Sequence, residues 1–335
     1  MAWIKGTDSR MTRKVVVTGG CGYIGSHVAR AFKQQGDHVT IIDRVRRDHT
    51  LKDIDGHFIG DFVSDGALSV LIHAEPDVIV HCAGTSLVGP SMTNPGEYWD
   101  NNVVKFIKLL DVVKNLPKRP LILFSSSASV YGEPNRLPIP ETHRIDPISP
   151  YGNTKATCER ILKDYYLAHA VPSVCFRFFN AAGAEPFNYD LGQEPNATHI
   201  VARVLESMLR KEEFGLNGTD YKTRDGTCVR DYIHVWDLAQ AHIMAADRAG
   251  EATGWVGAQQ INLGTGGGIS NQEIVDYVKQ HYDPDFRTVV NSPRLGDPAE
   301  LVAQADRANE WLNWTAEHSD ISTIIDSAYK WYTRV

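Results

Sequence analysis

Short runs of Val, Ile, Leu and Phe alternate along this chain with longer stretches whose apolar residues recur every three or four positions. The short runs are Lys14–Thr18, His38–Asp43, Asp77–His81, Leu121–Ser125 and Ser173–Arg177. Each is almost continuously apolar, as strands covered on both faces of a parallel sheet must be. Between them Tyr23–Gln35, Glu97–Asn115 and Tyr151–His169 carry helical spacing, and in the last Ile161, Leu162, Tyr165 and Tyr166 form one stripe. The alternation predicts an α/β fold built on a doubly wound parallel sheet.

After Asn180 the rhythm changes. Ala181–Asn196 is rich in Ala, Gly, Glu, Pro and Asn, a helix is predicted near Thr198–Lys211, and Asn217–Tyr232 reads as polar loop or short strand. Gly264–Gly268 is a turn, followed by helices around Asn271–His281 and Ile321–Tyr332. A boundary near residue 180 therefore separates a sheet domain, 14–180, from a smaller mixed α/β domain, 181–335. The second is expected to cover the carboxyl edge of the sheet and to interleave with the first, part of 233–263 returning to it. Residues 1–13 read as a leader to the first strand, disordered or added.

Composition narrows the function classes. A net charge of −7 argues against a nucleic-acid or acidic-membrane partner, because both need basic surfaces. No run of eighteen apolar residues occurs, so no membrane-spanning helix is expected. Cys21, Cys82, Cys158, Cys175 and Cys228 are widely spaced and odd in number, which suits free thiols in a reducing, cytoplasmic setting. No metal site is expected: there is no HExxH, and His73-Ala74-Glu75 lacks the Pro-Cys-x-x-Cys that would complete a deaminase-type zinc motif.

Gly19, Gly22 and Gly25 stand in a G-x-x-G-x-x-G pattern between the first strand and the first helix. Glycines there permit a tight turn and bring backbone N–H groups against a pyrophosphate at a helix N-terminus. Asp43 ends the second strand, 18 residues beyond Gly25, where a carboxylate can accept both ribose hydroxyls of an adenosine. The pattern predicts a Rossmann-type sheet and favours NAD over NADP as its cofactor. Asp43 would repel a 2′-phosphate, although Arg44, Arg46 and Arg47 directly behind it could tolerate one.

Tyr151 and Lys155 are four residues apart on a predicted helix and so share a face. A free phenol ionises near pH ~10, and using it as a base at neutral pH costs about 4 kcal/mol. One cation at ~4 Å in an effective dielectric near ~20 supplies about that much. Ser125, Ser126 and Ser127 close an apolar strand at the sheet edge where open α/β folds place their sites. A serine hydroxyl there can bridge a substrate alcohol to Tyr151.

Taken together these residues resemble the extended short-chain dehydrogenase/reductases, and within them the UDP-glucose (UDP-galactose) 4-epimerases. The similarity runs from Val15 to about Ala303 through Gly19–His27, His81–Gly84, Tyr98–Val103, Ser125–Gly132 and Ser149–Lys155. It continues through Arg177–Gly183, Asp225–Leu238 and Arg294–Asp297. By resemblance Gly19, Gly22, Tyr23, Ile24, Gly25, Asp43, Asp61, Phe62, Cys82, Ala83, Gly84, Asn101 and Phe178 contact NAD, as do Tyr151 and Lys155. Ser127 joins Tyr151 and Lys155 as the catalytic group. Asn180, Asn217, Arg230, Tyr232, Arg294 and Asp297 fall where the family binds the nucleotide diphosphate, with His199 and Ile200 as a further strip. Arg230 and Arg294 also suit phosphate on chemical grounds. Three departures stand out: a short, basic Asp43–Asp61 stretch, Ser86 where the family often has lysine, and Ala181 where it has proline.

The resemblance implies a hydride passing from sugar C4 to NAD and back to the other face of a 4-keto sugar, with Tyr151 as base. A nucleotide-sugar dehydratase or decarboxylase would carry an acidic residue directly after the catalytic serine, where this chain has Ala128 and Ser129. A non-catalytic NAD sensor would be expected to lose Tyr151 or Lys155. Leu301, intermediate in size, stands where the family gates the sugar pocket, which leaves N-acetylhexosamine and pentose substrates open. A homodimer pairing through the helices in Glu97–Asn115 and Tyr151–His169 is also implied.

Overall fold

A computed structural model describes residues 11–249, 257–293 and 298–334 of the chain. The first strands are β1 (Lys14–Thr18), β2 (His38–Asp43), β3 (Gly56–Ile59), β4 (Val78–His81), β5 (Leu121–Ser127) and β6 (Ser173–Phe178). They are followed by β7 (Asn180–Ala182), β8 (Phe214–Asn217), β9 (Val229–His234) and β10 (Ala258–Leu263). The last three are β11 (Gly268–Ser270), β12 (Thr288–Asn291) and β13 (Glu300–Leu301). Strands β1–β6 and β10 form one parallel sheet in the order β10-β6-β5-β4-β1-β2-β3, so the Rossmann-type expectation is borne out. Smaller sheets carry β11-β9-β13, with β7 also on β9, and β12-β8.

The helices are α1 (Tyr23–Gln34), α2 (Asp65–Ala74), α3 (Val88–Thr93), α4 (Pro95–Trp99), α5 (Lys105–Val113) and α6 (Pro150–His169). The later ones are α7 (Ile200–Leu209), α8 (Val235–Ala249), α9 (Asn271–His281), α10 (Asp306–Leu312) and α11 (Ile321–Thr333). One face of the main sheet buries Val15, Val17, Ile41 and Phe176 with α1 and α8; the other buries Val16, Ile79, Ile122 and Cys175 with α2, α5 and α6. Full burial of a residue such as Phe32 or Phe106 contributes roughly 1.5–3 kcal/mol before ordering costs. A third core joins α7, α9 and α11 around Leu205, Val278 and Ile325.

Local sequence explains where α6 begins and ends. Ser149 caps α6, its Oγ accepting from the Gly152 amide at 3.1 Å, and Pro150 occupies the first turn where no N–H is needed. Ala170 closes the helix in the left-handed conformation. The single helix expected over Glu97–Asn115 is instead α4, a five-residue π turn at Asp100–Val104, and α5. The wider turn lets Asn101 and Asn102 both face inward: Asn101 Nδ2 donates to Thr85 Oγ1, and Asn102 bonds the Thr85 backbone and Thr154 Oγ1.

Three other differences have physical reasons. β3 alternates half-covered and exposed residues at the sheet edge, so it lacks the continuous apolar run of its neighbours. β9 is wholly buried within the stretch expected to be mostly polar, because Arg230, Asp231 and His234 find partners inside. Of the expected leader, residues 1–10 lie outside the described residues, whereas Arg13 pairs with Asp37 at 2.7 Å and with Asp247 at 2.8 Å.

The segment preceding α11 is pinned to α8 by charge. Buried Asp237 accepts from His318 Nδ1 at 2.7 Å, from the His318 amide at 2.9 Å and from Ser319 Oγ at 2.5 Å. The hydrogen bond to Asp237 raises the His318 pKa above its ordinary value, with partial burial opposing. A raised histidine pKa stabilises the fold below the unfolded value near ~6.5, and that contribution disappears as pH rises through the folded value. His318→Asn should therefore lower the melting temperature more at about pH 6 than at about pH 9; equal losses at both would contradict the coupling.

Candidate active site

Strand order reverses between β1 and β4, so the chain segments leaving those strands diverge at the carboxyl edge of the sheet. The cleft between them encloses about 660 Å³ including its open mouth. Nine sequence-predicted cofactor residues line it: Gly19, Gly22, Asp43, Asp61, Phe62, Cys82, Ala83, Gly84 and Asn101. Ile42, Arg44, Arg47 and Gly60 complete the wall.

The glycine loop fits a pyrophosphate by what it lacks. A Cβ on Gly25 would lie 2.2 Å from the Gly19 carbonyl oxygen, so the first turn of α1 packs directly on the loop. Gly19 has φ +72° and a Cβ there would meet the Ala83 amide nitrogen at 2.6 Å. α1 has no side-chain cap and no acidic residue in its first turn, which leaves its N-terminal N–H groups for an anion. Tyr23 OH donates to the Gly183 carbonyl at 2.7 Å and ties α1 to the second half of the chain, while Ile24 packs on the core beneath.

Asp43 stands at the end of β2 with Oδ2 accepting from the Cys21 amide and Oδ1 from the Val45 amide, both at 2.9 Å. Each oxygen keeps a further lone pair for a ribose hydroxyl. Of the basic residues behind it, Arg47 donates to the Cys21 carbonyl at 2.8 Å and Arg46 pairs with Asp48. Arg47 thus braces the glycine loop. Across the cleft, Lys105 donates to Asp61 Oδ2 and Asn101 Oδ1, both at 2.8 Å. Burial pushes the Asp61 carboxyl up, but the Lys105 and Val63 bonds outweigh it and hold the pKa below the ordinary value. Sequence reasoning missed Lys105; its spacing of four from Asn101 was the available signal.

The second cluster lies where β5 ends against α6. Ser127 Oγ accepts from the Ser129 amide at 3.2 Å and from Ser129 Oγ at 3.0 Å. Gly152 lets α6 approach this turn, since a Cβ there would lie 2.6 Å from the Ser129 carbonyl oxygen. Buried Lys155 donates to the Ser125 carbonyl at 2.8 Å, and its Nζ lies 5.7 Å from the centroid of the Tyr151 ring. Tyr98 meets Tyr151 edge to face at 6.3 Å and hydrogen-bonds the Ser86 and Leu87 carbonyls. The phenol and ammonium therefore share one helix face at the strand end. Phe178, the register partner of Ser127, ends β6 buried between Phe176 and His242.

The expected nucleotide-diphosphate residues are less gathered. Asn180, Arg230, Tyr232 and Leu301 fall on one small sheet, with Asn180 opposite Tyr232 and Leu301 opposite Arg230. Arg230 is buried and donates to the Val229 carbonyl at 2.8 Å. Tyr232 sits in the third core with its phenol donating to Asn271. Asn217 ends β8, on the separate pair, and its Oδ1 accepts from Asn291. His199 is exposed at the start of α7, bonded to Gln193, and Ile200 packs on the third core. Arg294 and Asp297 lie outside the described residues. No group of metal ligands occurs among the described residues, and no described helix is long and apolar enough to cross a membrane.

Residues 15–264 match the NAD dependent epimerase/dehydratase family. The chain is 36% identical to a UDP-glucose 4-epimerase of Halalkalibacterium halodurans over 323 residues, 95% of each chain. It also superposes on the crystal structure of UDP-glucose 4-epimerase from Brucella ovis in complex with NAD, with TM-score 0.88, 36% identity and coverage of 95% and 98%. The enzyme of that name from Bifidobacterium longum, in complex with NAD+ and UDP, gives TM-score 0.87, 32% identity and coverage of 96% and 98%. The resemblance drawn from the motifs is borne out: the chain belongs to the NAD dependent epimerase/dehydratase family, in the group of the UDP-glucose 4-epimerases.

Proposed function

We propose that this enzyme interconverts UDP-glucose and UDP-galactose by reversible 4-epimerisation on tightly held NAD, with Tyr151 as base. One observation carries the reading: the Tyr151 ring and the Lys155 ammonium share the first turns of α6, with that ammonium anchored on the Ser125 carbonyl. Tyr151, as phenolate beside the ammonium, takes the 4-hydroxyl proton and later returns it to the same oxygen. Both lone pairs of Ser127 Oγ are engaged by Ser129, so its own O–H is left to donate to the sugar oxygen. NAD, when bound, would supply reversible hydride-acceptor chemistry beside the sugar C4, so no net oxidation would occur.

Gly19, Gly22, Tyr23, Ile24 and Gly25 would hold the pyrophosphate, Asp43 the adenosine ribose, and Asp61, Phe62, Cys82–Gly84, Asn101 and Phe178 the rest of the cofactor. On the sugar side, Asn180, His199, Ile200, Asn217, Arg230, Tyr232, Arg294 and Asp297 would anchor UDP while the 4-keto sugar turns over. Leu301, half-buried on β13, would gate the sugar pocket. Residues 14–180, with α8 and β10, then form the NAD-binding unit, and the remainder of 181–335 the UDP-sugar unit. Ala128 and Ser129 after Ser127 weigh against water elimination, since neither can serve as its acid or base.

Two further readings concern assembly and location. Trp99, Val104 and Leu167 are exposed apolar residues on α4, the π turn and α6, which supports a homodimer through these helices. Five unpaired cysteines support a cytoplasmic site.

Tyr151→Phe should abolish conversion of UDP-galactose, assayed without added NAD, while the purified variant still carries NAD; undiminished turnover would sink the assignment. Gly25→Ala should weaken NAD retention by about tenfold or more, because the first turn of α1 must shift off the loop; a parent-like NAD content after gel filtration would contradict the proposed loop. Sedimentation velocity should give a dimer whose dissociation rises in Val104→Asp, and a monomeric parent would refute the interface.

A further inference from the structure

One turn beyond Lys155 on α6, and so on the same face, stands Glu159. Its side chain is 7% exposed and pairs with Arg177 of β6, whose side chain is 4% exposed. The pair is forked: Arg177 Nη2 donates to Oε2 at 2.6 Å and Nε to Oε1 at 3.0 Å. Oε1 also accepts from Ser126 Oγ at 2.5 Å. Ser126 lies between Ser125, whose carbonyl holds the Lys155 ammonium, and Ser127. Arg177 Nη1 donates onward to Tyr131 OH and to the Glu141 carbonyl, and Tyr131 OH donates to Asn262 of β10. Helix α6 and strands β5, β6 and β10 therefore meet at one carboxylate and one guanidinium.

A buried ion pair is a weak source of net stability, since an apolar pair of similar volume would serve packing as well. Its charge matters more here because the surrounding titratable groups are neutral near pH 7. At the end of β4 burial lowers the His81 pKa to about 3, and just beyond it burial raises that of Cys82 to about 11. On α4 burial raises Tyr98, on α6 it raises Cys158 to about 12, and on β6 it raises Cys175. Tyr131, beyond β5, is raised to about 12 by burial. Of the remaining charges, Asp43 acts on Cys82, Glu97 on Tyr98 and Glu141 on Tyr131. Glu159, one helical turn along α6 from Lys155, and Arg177 are the buried charged pair that reaches this strand end through Ser126.

We infer that the Glu159–Arg177 pair, through Ser126, is a positioning device that holds Lys155 and Tyr151 in register with the Ser125–Ser127 strand end. The inference rests on the reading of Tyr151, Lys155 and Ser127 as the reacting groups. Neutralising only Glu159 leaves the Arg177 cation unpaired; neutralising both removes that imbalance but not the lost fork.

The test uses the full chain with its bound NAD and UDP-galactose as substrate, with kcat and KM followed against pH and melting temperature recorded alongside. Glu159→Gln should lower kcat by about tenfold with KM within about twofold, and should move the acid limb of kcat about half a unit lower. Glu159→Gln combined with Arg177→Met should return that limb to the parent pH while kcat stays low. A folded Glu159→Gln with parent kcat and parent acid limb would overturn the inference, however far its melting temperature falls. Should neither variant fold, Ser126→Ala decides: a kcat loss of about threefold or more at constant KM supports the link, and parent kinetics overturn it. Tyr151→Phe, run in parallel, separates the two readings. If it is inactive while Glu159→Gln is unaltered, only the positioning role fails; if it is fully active, both fail.

Discussion

Covering a parallel sheet on both faces leaves only its edges for chemistry, and this constraint organises the whole molecule. Helices α1 and α8 close one face and α2, α5 and α6 the other, so neither face can hold a ligand. The carboxyl edge stays open where the order reverses between β1 and β4. Glycine contacts then set how closely the walls of that opening approach. Gly19 against Ala83 joins the β1 and β4 ends, Gly25 seats α1 on the loop, and Gly152 seats α6 on the turn after β5. Small residues at these contacts bring helix ends, rather than side chains, to the cleft.

The electrostatics follow from the same packing. Near the sheet end, desolvation keeps His81, Cys82, Cys158 and Cys175 uncharged at neutral pH. The charges that persist are held by fixed partners: Lys155 by the Ser125 carbonyl, Glu159 by Arg177, Asp61 by Lys105. A dry, neutral surround makes each of these more influential than it would be in water.

Much of this was legible in the residues, for reasons specific to each. β1, β2 and β4 are buried on both faces, so their continuous apolar runs announce them. α6 carries its own start signal in Ser149-Pro150, and Tyr151 and Lys155 need only helical spacing to share a face. β3 was illegible in that pattern because this edge strand half-covers only alternate residues. The π turn at Asp100–Val104 was illegible because its inward asparagines are satisfied by Thr85 and Thr154, distant in sequence. β9 looked polar because its partners, Thr265 and Ser327 of α11, come from far along the chain.

By itself, then, the sequence determined what depends on near neighbours: strand and helix periods, the glycine loop, the carboxylate at the end of β2, and the Tyr151–Lys155 face. These are short-range properties, settled by backbone geometry and by which face must be buried. Only the tertiary structure decided which side chains would neutralise or brace one another. Arg47, which could have tolerated a 2′-phosphate, instead braces the Cys21 carbonyl, Lys105 joins Asp61 to Asn101, and Arg177 reaches Glu159 of α6. Such pairings join residues that are remote in sequence, or satisfy charges that only burial makes costly, and no local pattern encodes either.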